Sequence, residues 1–301
     1  MNTRLLTASI WPRWLTPRCC VSLMIVAAGV SLCVVRAWGL VHAGDPRIAG
    51  ALAGGLMASV ATALGTLPVL VSQRVSQRAS DAMLGFGAGI MLAATAFSLI
   101  VPSLQAARDQ GFDRWGAGAV VSAGIALGAM LLLSADRWLP QSALAMEDAR
   151  SNALRRAWVF VGAITLHNFP EGLAIGVAFA GPNAEHAQAL TTGIAIQDVP
   201  EGLVVALALR GVGYGRLLSV GLGIVSGLIE PVAAILGAVA IAVASNLLPW
   251  GLAFAAGAML YAVVHEAIPG SQLQGNARQS TCALVFGFVL MMLLDTALGR
   301  S

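Results

Sequence analysis

Two short segments of the chain carry the side chains best suited to chemistry. Residues 167–172 read HNFPEG and residues 197–202 read QDVPEG. Aligned, each segment gives a His or Gln, then an Asn or Asp, and after one further residue the same Pro-Glu-Gly. Imidazole, carboxylate and amide groups are the side chains that bind divalent metal ions in proteins. The repeated pattern therefore predicts a duplicated set of metal ligands.

The spacing within each segment places its ligands on neighbouring faces of one helix. His167 and Glu171 are four residues apart and lie on one face, and Gln197 and Glu201 repeat that spacing. The residue after His167 or Gln197 is rotated by about 100° toward an adjacent position. Each helix can therefore present two adjacent ligand sets that share the glutamate.

The ligand chemistry favours Zn²⁺ over harder cations. Imidazole together with carboxylates suits Zn²⁺, whereas carboxylates and amides alone suit Mg²⁺ or Ca²⁺. A thioether from Met91 would add softness. Met91 by itself is typical of apolar filling, and we include it because a glycine-rich stretch precedes it and the site needs a third wall. The predicted metal ligands are Met91, His167, Asn168, Glu171, Gln197, Asp198, Glu201 and Glu230.

The composition indicates that lipid surrounds the elements that position these ligands. Of the 301 residues, 58% are hydrophobic and only 10% are charged, whereas soluble domains average about 25% charged residues. So few charges exclude a soluble domain, a disordered chain and a nucleic-acid-binding protein. The 34 glycines suit close helix packing in lipid. We therefore predict an all-α, polytopic helical bundle in a lipid bilayer.

Nine stretches are long and apolar enough to span a bilayer. They lie near 20–41, 48–72, 81–103, 115–135, 156–180, 187–209, 216–244, 250–268 and 280–298. The first stretch gives residues 1–45 an N-terminal tail and an extra transmembrane helix. Residues 1–43 also fit a long signal sequence, and we favour the retained helix. Residues 46–301 form the predicted eight-helix domain, with a cytoplasmic loop near 136–156.

The distribution of arginine predicts the orientation. All 17 basic residues are Arg, and twelve of them lie before the first span or in alternate connections, which share one side of the membrane. Positive charge accumulates on the cytoplasmic side. We therefore expect a cytoplasmic N-terminus and a periplasmic or extracellular C-terminus.

Four acidic residues fall where lipid should exclude them. Glu171, Asp198, Glu201 and Glu230 lie near the middle of their spans. A charge at the bilayer centre costs at least about 2.5 kcal/mol, so these groups must face the bundle interior. Without a basic partner they need a cation or bound protons. The spans that carry the two motifs run antiparallel, which is the local form of an inverted repeat around a midplane transport site.

At these residues the chain resembles the ZIP (Zrt-, Irt-like protein) family of divalent-metal transporters, above all bacterial members with HNFPEG and QDVPEG. The likeness covers residues 48–298. The resemblance implies a two-metal site. His167, Glu171, Gln197 and Glu201 with Met91 match the first position. Asn168, Glu171, Asp198, Glu201 and Glu230 match the second position, with bridging carboxylates.

The resemblance also implies what the protein does. It predicts transport of Zn²⁺, with Cd²⁺, Fe²⁺ and Mn²⁺ as further candidates, toward the cytoplasm across the bacterial inner (plasma) membrane. The metal is then the transported substrate and not a prosthetic group, and the protein is not an enzyme. Family members are similar in forming homodimers. An elevator-like movement of a metal-carrying helix bundle against a scaffold is the implied mechanism.

Four further residues are candidates for the transport pathway. His265 and Glu266 lie near the inner end of their span and suit metal release. Asp295, near the outer end of the last span, and Asp113, in an outer connection, could collect cations at the entrance. Asp113 is also typical of a solvated loop charge, and we interpret His186 as a loop residue.

Two other functional classes compete with transport of metal ions. An intramembrane metal-dependent hydrolase needs an activated water at an open coordination position, but the sequence has no HExxH motif and one midplane histidine. A proton-conducting channel could use the ladder of carboxylates, but it requires neither a His and Met ligand set nor a shared double site.

Overall fold

The computed structural model describes residue 39 and residues 44–71, 75–138, 151–211, 213–272 and 275–298. Apart from residue 39, the predicted extra helix near 20–41 lies outside the described residues. So do residues 139–150 of the predicted cytoplasmic loop near 136–156. The neighbouring helices extend into both ends of that predicted loop.

The described residues form an all-helical bundle, as predicted. Its α-helices are α1 (Pro46–Thr66), α2 (Pro68–Val71), α3 (Gln77–Ala93), α4 (Val101–Asp109), α5 (Arg114–Trp138), α6 (Ser151–Ala180), α7 (Ala184–Gly211), α8 (Arg216–Gly227), α9 (Ile229–Val243), α10 (Leu248–Ala262), α11 (Ile268–Gln272) and α12 (Ala277–Leu298).

The helices combine into membrane-spanning units. Seven units of the described chain are long and apolar enough to cross a bilayer: Pro46–Val71, Gln77–Asp109, Arg114–Ala135, Ala184–Gly211, Arg216–Val243, Ser245–Gln272 and Ala277–Leu298. Helix α6 adds an eighth element of 30 residues. This arrangement confirms the prediction of a polytopic membrane protein.

Side-chain contacts identify which helix ends lie together. At one end, which we call the arginine end, Arg216 donates a hydrogen bond to the carbonyl oxygen of Leu70 at 3.0 Å, and Asn276 donates to Asp81 at 2.8 Å. At the opposite end, Ser103 donates to the carbonyl oxygen of Pro249 at 2.7 Å. Successive spans therefore run in alternating directions.

Two spans contain a π-helical segment where the sequence suggests an unbroken α-helix. These segments are Ala94–Ile100 and Val263–Ala267, and each is followed within two residues by a proline, Pro102 or Pro269. Proline has no N–H group and its ring crowds the carbonyl four residues earlier. The widened turn is a common response to such a disturbance, and π-bulges recur at functional sites.

The span predicted over 216–244 is broken near its middle. Helix α8 ends at Gly227 and α9 begins at Ile229. Pro231 explains the break, because it cannot donate a hydrogen bond to the carbonyl of Gly227. The break places Glu230 in the first turn of α9.

The helices pack in two groups. Helix α1 packs against α6, α7, α8 and α9, and we call these five helices the site group. Helix α3 packs along α12, and α10 packs along α4 and α5, which together form the flanking group. The two groups meet where α3 contacts α7 and α10 contacts α6.

Candidate metal centre

Both sequence motifs lie inside long helices of the site group. HNFPEG belongs to α6 and QDVPEG to α7, and both helices continue through their prolines, Pro170 and Pro200. Asn168, Glu171, Gln197 and Asp198 are buried, with at most 2% of each residue exposed. Glu230 of α9 is fully buried as well.

Three side chains from the two motifs could hold one metal ion. One ligand atom each of His167, Glu171 and Glu201 lies within 4.8 Å of the other two. His167 Nε2 is 3.9 Å from Glu201 Oε2. These are the residues that the helical spacing places on facing sides of α6 and α7.

Gln197 joins the carboxylates of the two helices. Its Nε2 donates to Glu171 Oε1 of α6 and to Asp198 Oδ1, the latter at 2.9 Å. One amide therefore restrains two carboxylates. It leaves the second oxygen of each free to point elsewhere.

The remaining predicted ligands form a second cluster next to the first. Asn168 Nδ2 donates to Glu230 Oε1 at 3.2 Å, and the hydroxyl of Thr62 from α1 donates to the same oxygen at 2.9 Å. The charges of Asp198, Glu230 and Glu171 lie close enough to interact.

Four buried oxygens of these side chains accept no hydrogen bond from the described residues. They are Asn168 Oδ1, Glu171 Oε2, Asp198 Oδ2 and Glu230 Oε2. Buried polar atoms are nearly always paired, and a buried carboxylate oxygen without a partner is unfavourable. A cation is the partner that such a group of acceptors suits.

A cavity of about 200 Å³ borders the His167 cluster. Met91 of α3 lines it together with His167, Gln197 and Glu201, so the residue predicted as a third wall does face the site. Met83, Val204, Glu266 and Ala267 continue the lining toward the arginine end. Side-chain exposure rises along this direction, from 10% at His167 to 43% at Glu266.

The glycines of the two motifs permit close approach of neighbouring backbones. A methyl group at Gly172 would overlap the backbone of Glu230, and one at Gly202 would overlap the carbonyl oxygen of Thr62. The glycine of each motif therefore allows a neighbouring helix, α9 at Gly172 and α1 at Gly202, to pack closely beside the motif's glutamate.

The glycines before Met91 have different neighbours. A methyl group at Gly85 or Gly89 would overlap the backbone of α12. At Gly87 it would lie at an ordinary 3.6 Å from Gln197 Oε1. Close packing of α3 on α12 thus explains two of these glycines, and the third faces the site.

The structure separates the two residues that we predict for metal release. Glu266 Oε2 lies 3.5 Å from His167 Nδ1, so this carboxylate joins the cluster. His265 is exposed and stacks on Tyr261, with ring centroids 4.9 Å apart. Both residues lie in the π-helical segment Val263–Ala267, whose altered turn the sequence does not reveal.

Asp295 takes part in a small polar cluster at the opposite end. Ser98 donates to Asp295 Oδ1 at 2.7 Å, and His186 Nε2 lies 3.3 Å from the same oxygen. Ser98 and His186 also line a second cavity of about 850 Å³. The interpretation of His186 as a loop residue was wrong, because it lies in the first turn of α7.

Asp113 stands apart from both clusters. It is exposed in the connection before α5, and its carboxylate accepts a hydrogen bond from the backbone N–H of Gly116 at 2.7 Å. This contact satisfies a free N–H group at the start of the helix.

Sequence reasoning missed three side chains at these clusters: Thr62, Ser98 and His186. A hydroxyl in an apolar helix usually bonds to a carbonyl of its own helix. The presence of Thr62 or Ser98 in such a helix therefore does not indicate a polar cluster. The only available hint for Thr62 is its place in a helix rich in small residues, where another helix can come close.

The fold and the site together define a polytopic membrane protein with a buried cluster of side chains that could hold a divalent metal ion. Comparisons with known proteins identify the family. A sequence model described as ZIP Zinc transporter matches residues 144–295. The chain is 43% identical over 250 residues to the zinc transporter GufA of Myxococcus xanthus, covering 82% of this chain and 98% of that protein.

Two further relatives extend the likeness. The zinc transporter ZIPB of Bordetella bronchiseptica is 44% identical over 289 residues, with 91% of this chain and 90% of that protein covered. The zinc transporter ZIP11 of Homo sapiens is 32% identical over 321 residues, with 79% and 94% covered. This chain belongs to the ZIP zinc transporter family.

Membership in the family confirms the predicted function as transport of divalent metal, chiefly zinc. The metal is accordingly a transported substrate, and the protein is a transporter and not an enzyme. Neither the hydrolase nor the proton channel is favoured.

Proposed function

We propose that the protein carries Zn²⁺ toward the cytoplasm through two adjacent ion positions at the membrane midplane. His167, Glu171, Gln197 and Glu201 with Met91 form the first position. Asn168, Glu171, Asp198, Glu201 and Glu230 form the second position. The observation that carries the proposal is the set of four buried oxygens beside the His167 cluster that accept no hydrogen bond from the described residues.

Two positions fit these side chains better than one. His167 and the four unpaired oxygens come from five residues on three helices, and the offset of one residue between His167 and Asn168 turns them to different sides of α6. Glu171 and Glu201 lie one turn further along their helices, where a carboxylate with two oxygens can bridge two ions.

The cavities indicate the route. The cavity at His167 leads past Glu266 toward the arginine end, and the larger cavity at Ser98 and His186 lies at the opposite end. Arg78, Arg210 and Arg278 lie near the arginine end. The positive-inside rule supports a cytoplasmic arginine end, so we propose that the cavity at His167 faces the cytoplasm and the larger cavity faces the opposite side.

The two helix groups support the elevator-like mechanism that the family resemblance implies. Helices of the site group supply every ligand in the proposal except Met91, which belongs to α3 of the flanking group. Glu266 lies in the π-helical segment that follows α10 of the flanking group. A movement of the site group against the flanking group would carry the ions and separate His167 from Glu266.

We further propose that the protein works as a homodimer in the bacterial inner membrane, with its N-terminus in the cytoplasm. Helix α12 supports a pairing surface, since only 11% of its spanning window is buried within one chain. Val285, Phe286 and Val289 are exposed on it. Light scattering of the detergent-solubilised protein tests this, and a mass of one chain plus detergent would contradict it.

Zinc uptake into proteoliposomes tests the transport proposal. Stopped-flow fluorescence of an internal zinc indicator should report uptake by the wild-type protein and by Thr192→Ala, which alters a half-buried residue of α7 whose hydroxyl donates to the carbonyl oxygen of Gln188 in the same helix. His167→Ala should give the trace of protein-free vesicles. Proton flux without zinc, at a rate that zinc does not change, would instead support a channel.

A further inference from the structure

We propose that Thr62 is the positioning residue of the second ion position. Its hydroxyl holds one oxygen of Glu230 and thereby directs the other oxygen toward the ion. This inference rests on the two-ion site proposed above. It assigns a role to α1, a helix that contributes none of the predicted ligands.

The hydrogen bond of Thr62 is directed at Glu230. Thr62 Oγ1 lies 2.9 Å from Glu230 Oε1 and 3.3 Å from the carbonyl oxygen of Ala58 in its own helix. A hydroxyl has one proton to donate, and a bond to a carboxylate is shorter and stronger than a bond to a neutral acceptor. The proton therefore goes to the carboxylate.

The two oxygens of Glu230 have different surroundings. Oε1 accepts from both Thr62 and Asn168, whereas Oε2 accepts no hydrogen bond from the described residues. Two donors at a single oxygen fix the rotation of the carboxylate. Asn168 uses its nitrogen for this purpose, so its own oxygen is also left without a donor. Both free oxygens are among the proposed ligands.

Glycines on two helices hold Thr62 in place. A methyl group at Gly202 of α7 would overlap the carbonyl oxygen of Thr62, and one at Gly227 of α8 would lie 3.0 Å from its Cβ. Thr62 is 1% exposed. Because a branched side chain in a helix has few rotamers, this packing fixes the direction of the hydroxyl.

The inverted repeat pairs Thr62 with Glu230. The glycine of the first motif, Gly172, packs on the backbone of Glu230, and the equivalent glycine of the second motif, Gly202, packs on the backbone of Thr62. The two residues seated by equivalent glycines are hydrogen-bonded to each other. The glycine of the first motif thus packs on the proposed ligand Glu230, and the equivalent glycine of the second motif packs on Thr62, which orients that ligand.

Thr62→Val tests the role of the hydroxyl, since valine keeps the shape and removes the donor. Thr66→Val is a matched control: Thr66 is equally buried on the same helix, one turn away, and its hydroxyl donates to its own helix at Ala63. Thr62→Ser restores a hydroxyl without the methyl group. The probe is Zn²⁺ alone, titrated by calorimetry into the purified full-length protein.

Residues that orient metal ligands change affinity by about 10- to 100-fold when they are replaced. Thr62→Val should weaken the second Zn²⁺ by such a factor and leave the first unchanged. Thr62→Ser should restore most of the affinity, and Thr66→Val should match the wild type. Equal effects of Thr62→Val and Thr66→Val, or equal weakening of both ions by Thr62→Val, would overturn the role of Thr62.

The wild-type titration separates this inference from the proposed function. One Zn²⁺ per chain in the wild type would overturn the two-ion site itself. Two ions in the wild type, with the second unaffected by Thr62→Val, would retain the site and overturn only the positioning role.

Discussion

The two halves of the proposed metal centre use related sequences in different surroundings. The half around His167 and Glu201 borders a cavity, and the side chain of Glu201 is 17% exposed. The half around Asn168, Asp198 and Glu230 is sealed, with each residue at most 1% exposed. We call them the open half and the sealed half. Within each motif, adjacent residues belong to different halves: His167 and Asn168 in α6, and Gln197 and Asp198 in α7.

The different exposure of the two halves suits different roles in transport. An ion bound in the open half would border the cavity that Glu266 also lines. An ion bound in the sealed half would be enclosed by α1, α6, α7 and α9. It would share the carboxylate of Glu171 with the ion in the open half. We therefore expect the open half to carry the transported ion, and the sealed half to set affinity and selectivity.

The strongest disturbance should come from His167, because it supplies the only imidazole of the open half among the described residues. His167→Ala should abolish zinc uptake in proteoliposomes, whereas Asn168→Ala, in the adjacent position of the same helix, should retain part of it. Both variants need the same elution profile as the wild type. If the two are equally inactive, the halves are not distinct in function.

Removal of a charge from the sealed half should have a partial effect. Asp198→Asn keeps the volume of the side chain and leaves the His167, Glu171 and Glu201 cluster intact. We expect bound Zn²⁺ to fall from two ions to one per chain while transport continues at a reduced rate. Metal analysis after gel filtration measures the first quantity. Retention of two tightly bound ions would show that Asp198 is not a ligand.

Glycine substitutions should distinguish the packing of the two halves. Gly202→Ala forces a methyl group onto the backbone of Thr62 in the sealed half, and overpacking of this kind costs about 1–3 kcal/mol. Gly87→Ala, in the open half, places the methyl group 3.6 Å from Gln197 and should leave stability nearly unchanged. Thermal unfolding in detergent compares them. Equal midpoints would contradict the described difference in packing.

The smallest effect should come from outside both halves. Asp295 lies with Ser98 and His186 at the opposite end, where a carboxylate can raise the local concentration of cations. Asp295→Asn should raise the KM for Zn²⁺ several-fold, with the maximal rate and the number of bound ions unchanged. A lower count of bound ions would place Asp295 within the metal centre instead.

The sequence predicts the spans that the structure describes and the residue types of the candidate site. Hydropathy predicts the helices because lipid demands long apolar stretches, and the matching motifs bring out His167, Asn168 and Glu171 because their types are rare within such stretches. The family resemblance adds the division of these residues into two positions, which remains a proposal.

Other features depend on contacts between distant parts of the chain. The bond from Thr62 to Glu230 joins residues 168 positions apart, and the cluster at Asp295 joins three separate spans. The break after Gly227 follows from Pro231, yet Pro170 and Pro200 leave their helices continuous. A proline alone therefore does not tell where a helix will break, since neighbouring helices decide whether the freed carbonyl finds a partner.

Anomalous diffraction from crystals soaked in Zn²⁺ or Cd²⁺ would locate the ions of the proposed two-ion centre. We expect two peaks per chain at the midplane, about 3.5–4 Å apart as in carboxylate-bridged metal pairs. One peak should lie at His167 and Glu201, and the other at Asn168, Asp198 and Glu230. A single fully occupied peak at His167, with no density beside Glu230, would contradict the two-ion centre.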